Sequence, residues 1–457
     1  MLSTEAMKAG CNRFGQSRLF FRVFVLAAAM LLVISACAVS GNGHALLVKG
    51  ATVIDPSAGT VVNNHCIRIS NHRIDSVEPC KPNETAGRVI DATGSWVVPG
   101  LWDMHVHALW DESVYCPFFS DFVSYGVVGV RDMGGDAGVL TEARAFLEQA
   151  GNIGPTLVAA GKVLDGPTPV HPEISMAVRS AEDGRQAVAA VDAMGADFVK
   201  VYTTLPKAAV AAVFDEAHER GLKVVGHLPL EITLSDAVDA GMAGIEHMAV
   251  EIGGLCDVGN ELACKQTMDQ LRRAGIYLTP TLLVRQRPAT VRDPAIAEMS
   301  RLASMPDIVA KEWSAGLERS LRNKPDRYFA EKAQQYLREQ RLTEIAIASD
   351  SLLLVGTDSG DFLVPPGSSM HEELELLVNA GMDEMAALYA ATGRATDYLN
   401  LTDRGYIQPG AAADLVLLNS NPLADIRNTR DIGMVILNGA VLDSEKLASL
   451  RLRQECH

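Results

Sequence analysis

The 457-residue chain is short of three things, and each shortage closes off a class of function. It has no excess of positive charge. Its 40 Lys and Arg stand against 56 Asp and Glu, and a net charge of −16 disfavours nucleic acid as a partner while favouring solubility. Its eight cysteines include no Cys-x-x-Cys, so none is assigned to a metal. The N-terminal apolar run from Val23 to Ile34 falls short of the roughly 20 residues that a comfortable membrane span requires. What is present is globular: 48% apolar and 21% charged residues exclude disorder and supply a large core. The length exceeds one ordinary domain, although an α/β barrel can use more than half of it as a single unit.

Arg13, Arg18 and Arg22 precede the Val23 to Ile34 run, which reads as an export signal. Ile34-Ser35-Ala36-Cys37 then resembles a bacterial lipobox. The resemblance makes residues 1–36 a lipoprotein signal peptide and Cys37 the lipidated first residue of the mature chain; an ordinary secretory signal and an uncleaved anchor helix are the alternatives. Cleavage there removes a net +3 and leaves −19. By resemblance to lipoprotein sorting, Ala38 favours the outer membrane. The expected location is therefore the periplasmic or cell-surface face of a membrane, held by a lipid anchor. Such a compartment permits disulfides. Cys256 and Cys264 bracket a short loop, and Cys66 and Cys80 flank a predicted hairpin about Asn71-His72; each pair forms a local bridge or stays as small buried thiols.

From Leu46 to Val98 the pattern is short β-runs with turns, at Ala45 to Ile54, Asn64 to Ser70, Arg73 to Val77 and Arg88 to Asp91. The same texture returns near the C-terminus in Gly405-Tyr406-Ile407, Ala413 to Leu418 and Met434 to Gly439. Neither piece has enough apolar surface to fold alone, so residues 37–98 and 401–457 are expected to join in one small β-sandwich domain. Between them, over 99–400, strand-like runs alternate with helical stretches such as Lys207 to Arg220 and Leu234 to Ala240. Eight strands are expected: Val97 to Val106, Val127 to Met133, Thr156 to Val163, Asp197 to Tyr202, Lys223 to Leu228, Gly244 to His247, Tyr277 to Leu283 and Leu352 to Thr357. Eight such units suggest an α/β fold, a (β/α)8 TIM-like barrel. The charged helical segment Pro288 to Ser349 interrupts the series and is either a lid or a solvated insertion.

In a barrel of this kind the C-terminal strand ends converge on one cavity. His105 and His107 lie two apart at the end of strand one, so both imidazoles face one spot. Lys200 ends strand four, His227 strand five, His247 strand six and Asp358 strand eight. Each alone is unremarkable; six ligand-type residues at equivalent places on five strands are not.

Together Pro99-Gly-Leu-Trp-Asp-Met-His-Val-His107, the Lys200 strand, Gly226-His227, Glu246-His247, Gly356-Thr357-Asp358 and Gly410 to Val416 resemble the amidohydrolase superfamily. The likeness runs from about Leu46 to Leu442 and is closest to the imidazolonepropionase-like and prolidase-like branch. Arg131-Asp132-Met133-Gly134-Gly135 and Ala391-Thr392-Gly393-Arg394-Ala395 support that placement. The resemblance implies two divalent metal ions, usually zinc. One would be held by His105, His107 and Asp358 and the other by His227 and His247, with Lys200 bridging as N-carboxylysine. A desolvated lysine can lose its proton and react with carbon dioxide, which turns a repelling ammonium into an anionic ligand. Imidazolonepropionases proper lack this lysine, so Lys200 argues against that activity.

Such a site implies a metal-bridging hydroxide that attacks a polarised carbonyl, with Asp358 accepting the water's proton and passing it to the departing amine. Glu246 could stand behind the ligands, although strand alternation points it away from the cavity. For substrate contacts the candidates are Tyr202, His171 and Arg285, with Arg287 and His371 behind them. The expected enzyme is a metal-dependent amidohydrolase of small substrates such as dipeptides or N-acyl amino acids. An esterase, lactonase or cyclic amidase could use the same site, and a binding protein without turnover is a third reading, against which Asp358 weighs. The substrate, the native metal and a homo-oligomer stay open at this level.

Overall fold

Val97 to Val106 reads as one apolar run, but Gly100 divides it between two sheets. In the computed structural model, which describes residues 46–293, 296 and 305–452, β5 (Trp96–Pro99) and β6 (Leu101–Val106) flank this glycine. A Cβ at Gly100 would collide with the Val128 side chain, so the crossing needs the bare backbone. Residues 1–36, expected as a signal peptide, and Cys37 lie outside the described residues. No described helix is long and apolar enough to cross a membrane.

On one side of Gly100 is an eight-stranded sheet built from both ends of the described chain. Its strands are β1 (Leu46–Asp55), β2 (Thr60–Ser70), β3 (Arg73–Pro79), β4 (Arg88–Asp91) and β5, joined by β15 (Leu415–Leu418), β16 (Ile432–Leu437) and β17 (Ala440–Asp443). The order is β17-β16-β15-β5-β1-β2-β3, with β4 also beside β1. The seam is the antiparallel pair β15–β5, in which Leu415 faces Pro99 and Leu418 faces Trp96. Val48, Val53, Ile67, Ile69, Ile74, Leu415, Leu417 and Ile436 share one buried cluster, so neither terminal piece closes its core without the other. Asn71 and His72, both at positive φ, turn β2 into β3. Disulfides join Cys66 to Cys80 and Cys256 to Cys264. Gly405-Tyr406-Ile407, expected as strand, is a bend and irregular chain instead.

On the other side short parallel strands alternate with helices. β6, β7 (Val127–Asp132) and β8 (Thr156–Ala159) form one sheet. A six-stranded sheet is ordered β10-β9-β11-β12-β13-β14. Its members are β9 (Val163–Asp165), β10 (Ser175–Ala177), β11 (Val199–Val201), β12 (Val224–Gly226), β13 (Gly244–Glu246) and β14 (Tyr277–Thr279). Leu352 to Thr357, expected as strand eight, is not a regular strand. Together with Asp358 and Ser359 it touches both sheets through single bridges, Leu278 to Leu353 and Val106 to Ser359. One continuous closed ladder is therefore absent among the described residues.

Two further departures have local causes. The expected strand Thr156 to Val163 is split by Gly161 at positive φ, and β10 was not foreseen. Tyr277 to Leu283 ends as strand at Thr279, because Pro280 and a left-handed Thr281 lead into the helix Leu282–Thr290. The charged segment resolves into helices Asp307–Asn323 and Asp326–Ala348. Gly316 of the first packs tightly against the Phe362 ring, which seats that helix on the loop following Asp358.

His371, a candidate for substrate contact, lies within the helix Ser368–Asn379 and is buried. Its Nδ1 lies 3.0 Å from Thr429 Oγ1 and its Nε2 donates to the Tyr125 carbonyl at 3.1 Å, which makes it part of the packing. Burial, aided by the charge of Arg430, pushes it down to about 3. An unfolded histidine titrates near 6.5, so the unfolded chain binds the proton first. The stability this group contributes is fully present above about pH 6.5 and is lost as pH falls toward 3. Metal-free His371→Gln should accordingly show a smaller drop in urea midpoint between pH 7 and pH 4.5 than the metal-free parent. Equal drops in the two proteins would contradict this assignment.

Candidate metal centre

The parallel strands deliver four imidazoles and one carboxylate to a common point. His105 ends β6 and His107 follows it; His227 follows β12, His247 follows β13, and Asp358 follows the bridged segment. His105 Nε2 and His107 Nε2 each lie 3.3 Å from Asp358 Oδ1, and His247 Nε2 lies 3.8 Å from Asp358 Oδ2. The His247 ring is 4.7 Å from that of His105 and 4.8 Å from that of His227, centre to centre. Residues up to 253 positions apart in sequence thus meet within a few ångströms.

What turns these rings inward is the partner of the other nitrogen. His105 Nδ1 donates to Glu246 Oε2 at 2.8 Å, and His107 Nδ1 donates to the Gly134 carbonyl at 3.2 Å. Thr281 Oγ1 gives its own proton to the Pro280 carbonyl, so it accepts from His247 Nδ1 at 2.6 Å. His227 Nδ1 pairs with Thr203 Oγ1 at 2.9 Å. With Nδ1 protonated, each Nε2 of the first three rings carries a lone pair toward Asp358.

At His107 burial is outweighed by the Asp358 carboxylate, which raises the ring, but burial keeps His105, His227 and His247 neutral. It brings His105 down to about 4 and holds His227 and His247 well below the ordinary range, with Lys200 and Arg285 adding to the effect on His227. Burial pushes the Asp358 carboxyl up, yet the surrounding His105, His107 and His247 outweigh it and leave the group well below its usual range. Glu246 is buried too, but Arg131 and the His105 bond bring it to about 2. His105, His227, His247 and the Asp358 carboxylate therefore present electron pairs rather than protons.

Those lone pairs suit a cation. His105 Nε2 is fully buried and has no hydrogen-bond partner, while a carboxylate oxygen faces it. Two acceptors at this separation repel unless something positive lies between them. Ligand atoms at tetrahedral corners about 2.0–2.1 Å from a zinc ion stand roughly 3.3 Å apart. The His105, His107 and Asp358 donors, all within 4.8 Å of one another, match that spacing. Lys200 is 1% exposed on β11 and lines the same cavity as His227 and His247.

The cavity above has a volume of about 350 Å³, within the range for small-molecule sites. Trp110, Met133, Val163 and Ile174 supply its apolar wall. Two of the substrate candidates reach it: Tyr202 stacks on His227 with centres 4.0 Å apart, and His171 meets Tyr202 edge-on at 5.8 Å. Arg285 is not in the lining; its Nε sits 3.5 Å from Glu339 Oε2. Arg287 is buried in the fold, donating to the Leu363 carbonyl and to Glu372. Glu312, from helix Asp307–Asn323, does line the cavity.

Three supports escaped the sequence reading: Thr203, Thr281 and Arg131. Nothing in spacing marks a hydroxyl that will orient a histidine. Glu246 was expected to point away, but His247 has φ of 54°, so strict alternation ends at β13 and both side chains face inward.

The model of the amidohydrolase family matches residues 96–442. The dihydroorotases of Trichlorobacter lovleyi and Pelotomaculum thermopropionicum are 40% and 41% identical over 62 and 69 residues. Each match spans only 14% of this chain and 14% of the relative's own length. Among solved structures, a putative prolidase from Bifidobacterium longum is similar with TM-score 0.71 and 23% identity, covering 89% of this chain and 98% of that one. A Xaa-Pro dipeptidase with bound methionine gives 0.69 and 21% over 88% and 100%. A bottromycin amidohydrolase gives 0.70 and 25% over 93% of each chain. These likenesses make the α/β fold TIM-barrel-like. With most of its length inside the family's bounds and a metal-ready cluster at the strand ends, the chain belongs to the amidohydrolase family.

Proposed function

We propose that this chain is a binuclear metal-dependent amidohydrolase that cleaves the amide bond of small substrates, such as dipeptides or N-acyl amino acids. Membership of the family makes it a hydrolase acting on carbon–nitrogen bonds. The observation that carries the binuclear reading is the surplus of inward donors. His105, His107 and Asp358 complete one set of ligands, and His227, His247 and Lys200 are left around the same point. A lysine buried there fits better as a carbamate, formed from its free amine and carbon dioxide with loss of a proton, than as an ammonium beside cations.

Bound divalent ions, zinc being the ordinary choice for such ligands, supply the Lewis acidity that activates water and polarises a carbonyl. The chain's own residues do the rest. Asp358 accepts the proton of the attacking water and returns it to the amine nitrogen as the C–N bond breaks, a transfer that an amide leaving group requires. Tyr202, held against His227, and His171 at the rim offer polar contacts to the part of the substrate beyond the scissile bond. The apolar wall of Trp110, Met133, Val163 and Ile174 offers a surface to an apolar part of the substrate. The dipeptidase and prolidase neighbours favour peptide-like substrates over esters.

The working organisation is a catalytic unit over 99–400 beside a small β-domain from 37–98 and 401–457. Residues 1–36 direct export, and Cys37 anchors the protein by lipid to the outer side of a bacterial membrane, with no nucleic acid as partner.

The parent should hold about two zinc ions per chain and lose activity on chelation. Lys200→Ala should lose most of its metal and activity, with partial rescue by a short carboxylic acid that replaces the missing oxygens. Asp358→Asn should stay folded while turnover falls by at least roughly a hundredfold. Full activity in that variant would discredit the proton-transfer role. A screen of dipeptides and N-acyl amino acids with the zinc-loaded chain lacking residues 1–37 identifies the substrate, and failure on every amide would remove the functional reading.

A further inference from the structure

Arg131 lies on β7, does not reach the cavity lining, and is 1% exposed. Few places in the fold are as heavily bonded. Its Nε donates to the Met104 carbonyl at 2.6 Å. Its Nη2 donates to Glu246 Oε1 at 2.8 Å and to Thr279 Oγ1 at 3.3 Å, and its Nη1 to the Tyr398 hydroxyl at 3.4 Å. The guanidinium also lies 5.4 Å from the Tyr398 ring centre and 5.8 Å from that of Phe198. One side chain thereby ties together β6, β7, β13, β14 and the helix Gly393–Tyr398. The carboxylate it grips has one oxygen left over, and that oxygen receives His105 Nδ1.

We propose that Arg131 is a positioning residue for the metal centre, acting through Glu246 to fix the orientation and tautomer of His105. The proposal rests on the metal-hydrolase reading above. Glu246 uses each oxygen once, Oε1 for Arg131 and Oε2 for His105, so the carboxylate cannot rotate without losing both. Arg131 in turn cannot swing, because Met104, Thr279 and Tyr398 hold its other donors. The rigid end of this strut is the fold itself; the other end is the ring whose Nε2 is buried without a partner.

Packing alone does not account for the arrangement. A well-packed apolar pair would fill the same interior space without the desolvation penalty of two charges. What an apolar pair cannot do is present a fixed acceptor to His105 Nδ1, and a metal-ligating imidazole depends on such an acceptor for its tautomer and direction. Lysine would not substitute for the arginine, because an ammonium lacks the planar fork that reaches Met104, Glu246 and Tyr398 at once.

The test is zinc affinity, measured on the full chain by competition with a chromophoric chelator. It is read beside the 15N signals of the His105 ring in the metal-free protein. Glu246→Gln and Arg131→Met should each weaken the tightest zinc by about tenfold to a hundredfold. Each should also broaden or split the single Nδ1–H signature of His105. The double variant should be no worse than Arg131→Met alone, since both changes cut the same strut. Arg131→Lys should not restore affinity. If these variants lose thermal stability but keep parental zinc affinity and the His105 signature, Arg131 is a structural residue only and the proposal falls. Should Arg131→Met fail to fold, near-isosteric Glu246→Gln decides by the same two measurements. A parent that takes up zinc and cleaves no amide overturns the functional reading and leaves this proposal standing. One that takes up no zinc overturns both.

Discussion

A neutral imidazole nitrogen and a carboxylate oxygen, each offering electron pairs, face each other at 3.3 Å where His105 meets Asp358. In the interior such a pair is repulsive, and neither partner can escape to solvent. Asp358 is pinned through its backbone N–H to the His105 carbonyl, and His105 is pinned through Nδ1 to Glu246. The conflict is built in, and a cation between them would resolve it. The inward rings and the buried ion pair beneath them serve to keep those two groups opposed.

The backbone at the strand ends is bent to the same purpose. Asp358, His247, Met248, Ala249 and Thr281 all adopt positive φ, which costs non-glycine residues about 1–3 kcal/mol each. Five such residues within one neighbourhood are tolerated because dense packing surrounds them: Met248 and Ala249 are fully buried, and Thr281 is fixed by two hydrogen bonds. Glu373 helps from the next shell by accepting the backbone N–H groups of Leu282 and Leu283, both at 2.8 Å, which anchors the turn after Thr281. Burial raises this carboxyl to about 8, even though the two N–H bonds favour its charged form. Local strain is thus spread over a rigid frame, and the ligands receive directions that a regular strand could not give them.

The legibility of all this in the sequence was uneven for physical reasons. Side-chain alternation of period two put His105 and His107 on one face, and the ends of apolar runs located Lys200, His227, His247 and Asp358. Those signals are local and survive without coordinates. The Asn71-His72 turn and the β-rich ends were legible for the same reason. Contacts between distant segments were not. Thr203 and Thr281 act through single hydroxyl bonds that any surface threonine could make, and Arg131 meets Glu246 across 115 positions of sequence. Strand limits were misread where one residue with positive φ, Gly161 or Thr281, ended a run whose apolar pattern continued. Arg285 and Arg287 had the right charge for a substrate carboxylate, but each faces a glutamate of the fold instead.

On the proposed binuclear reading the two sets of ligands are supported in different ways, and the difference has a chemical meaning. His105 and His107 are held by a carboxylate and a backbone carbonyl, both obligate acceptors at neutral pH, so their tautomers are settled by the fold. His227 relies on the Thr203 hydroxyl, which can give or take a proton, and His247 on a hydroxyl whose direction is set by Pro280. On the proposed reading the His105, His107 and Asp358 set needs only unmodified side chains, whereas the other set waits for Lys200 to acquire two oxygens. On that reading the centre would gain its full charge balance only after the polypeptide has folded around Lys200, because a carbamate forms on the unprotonated amine that burial favours.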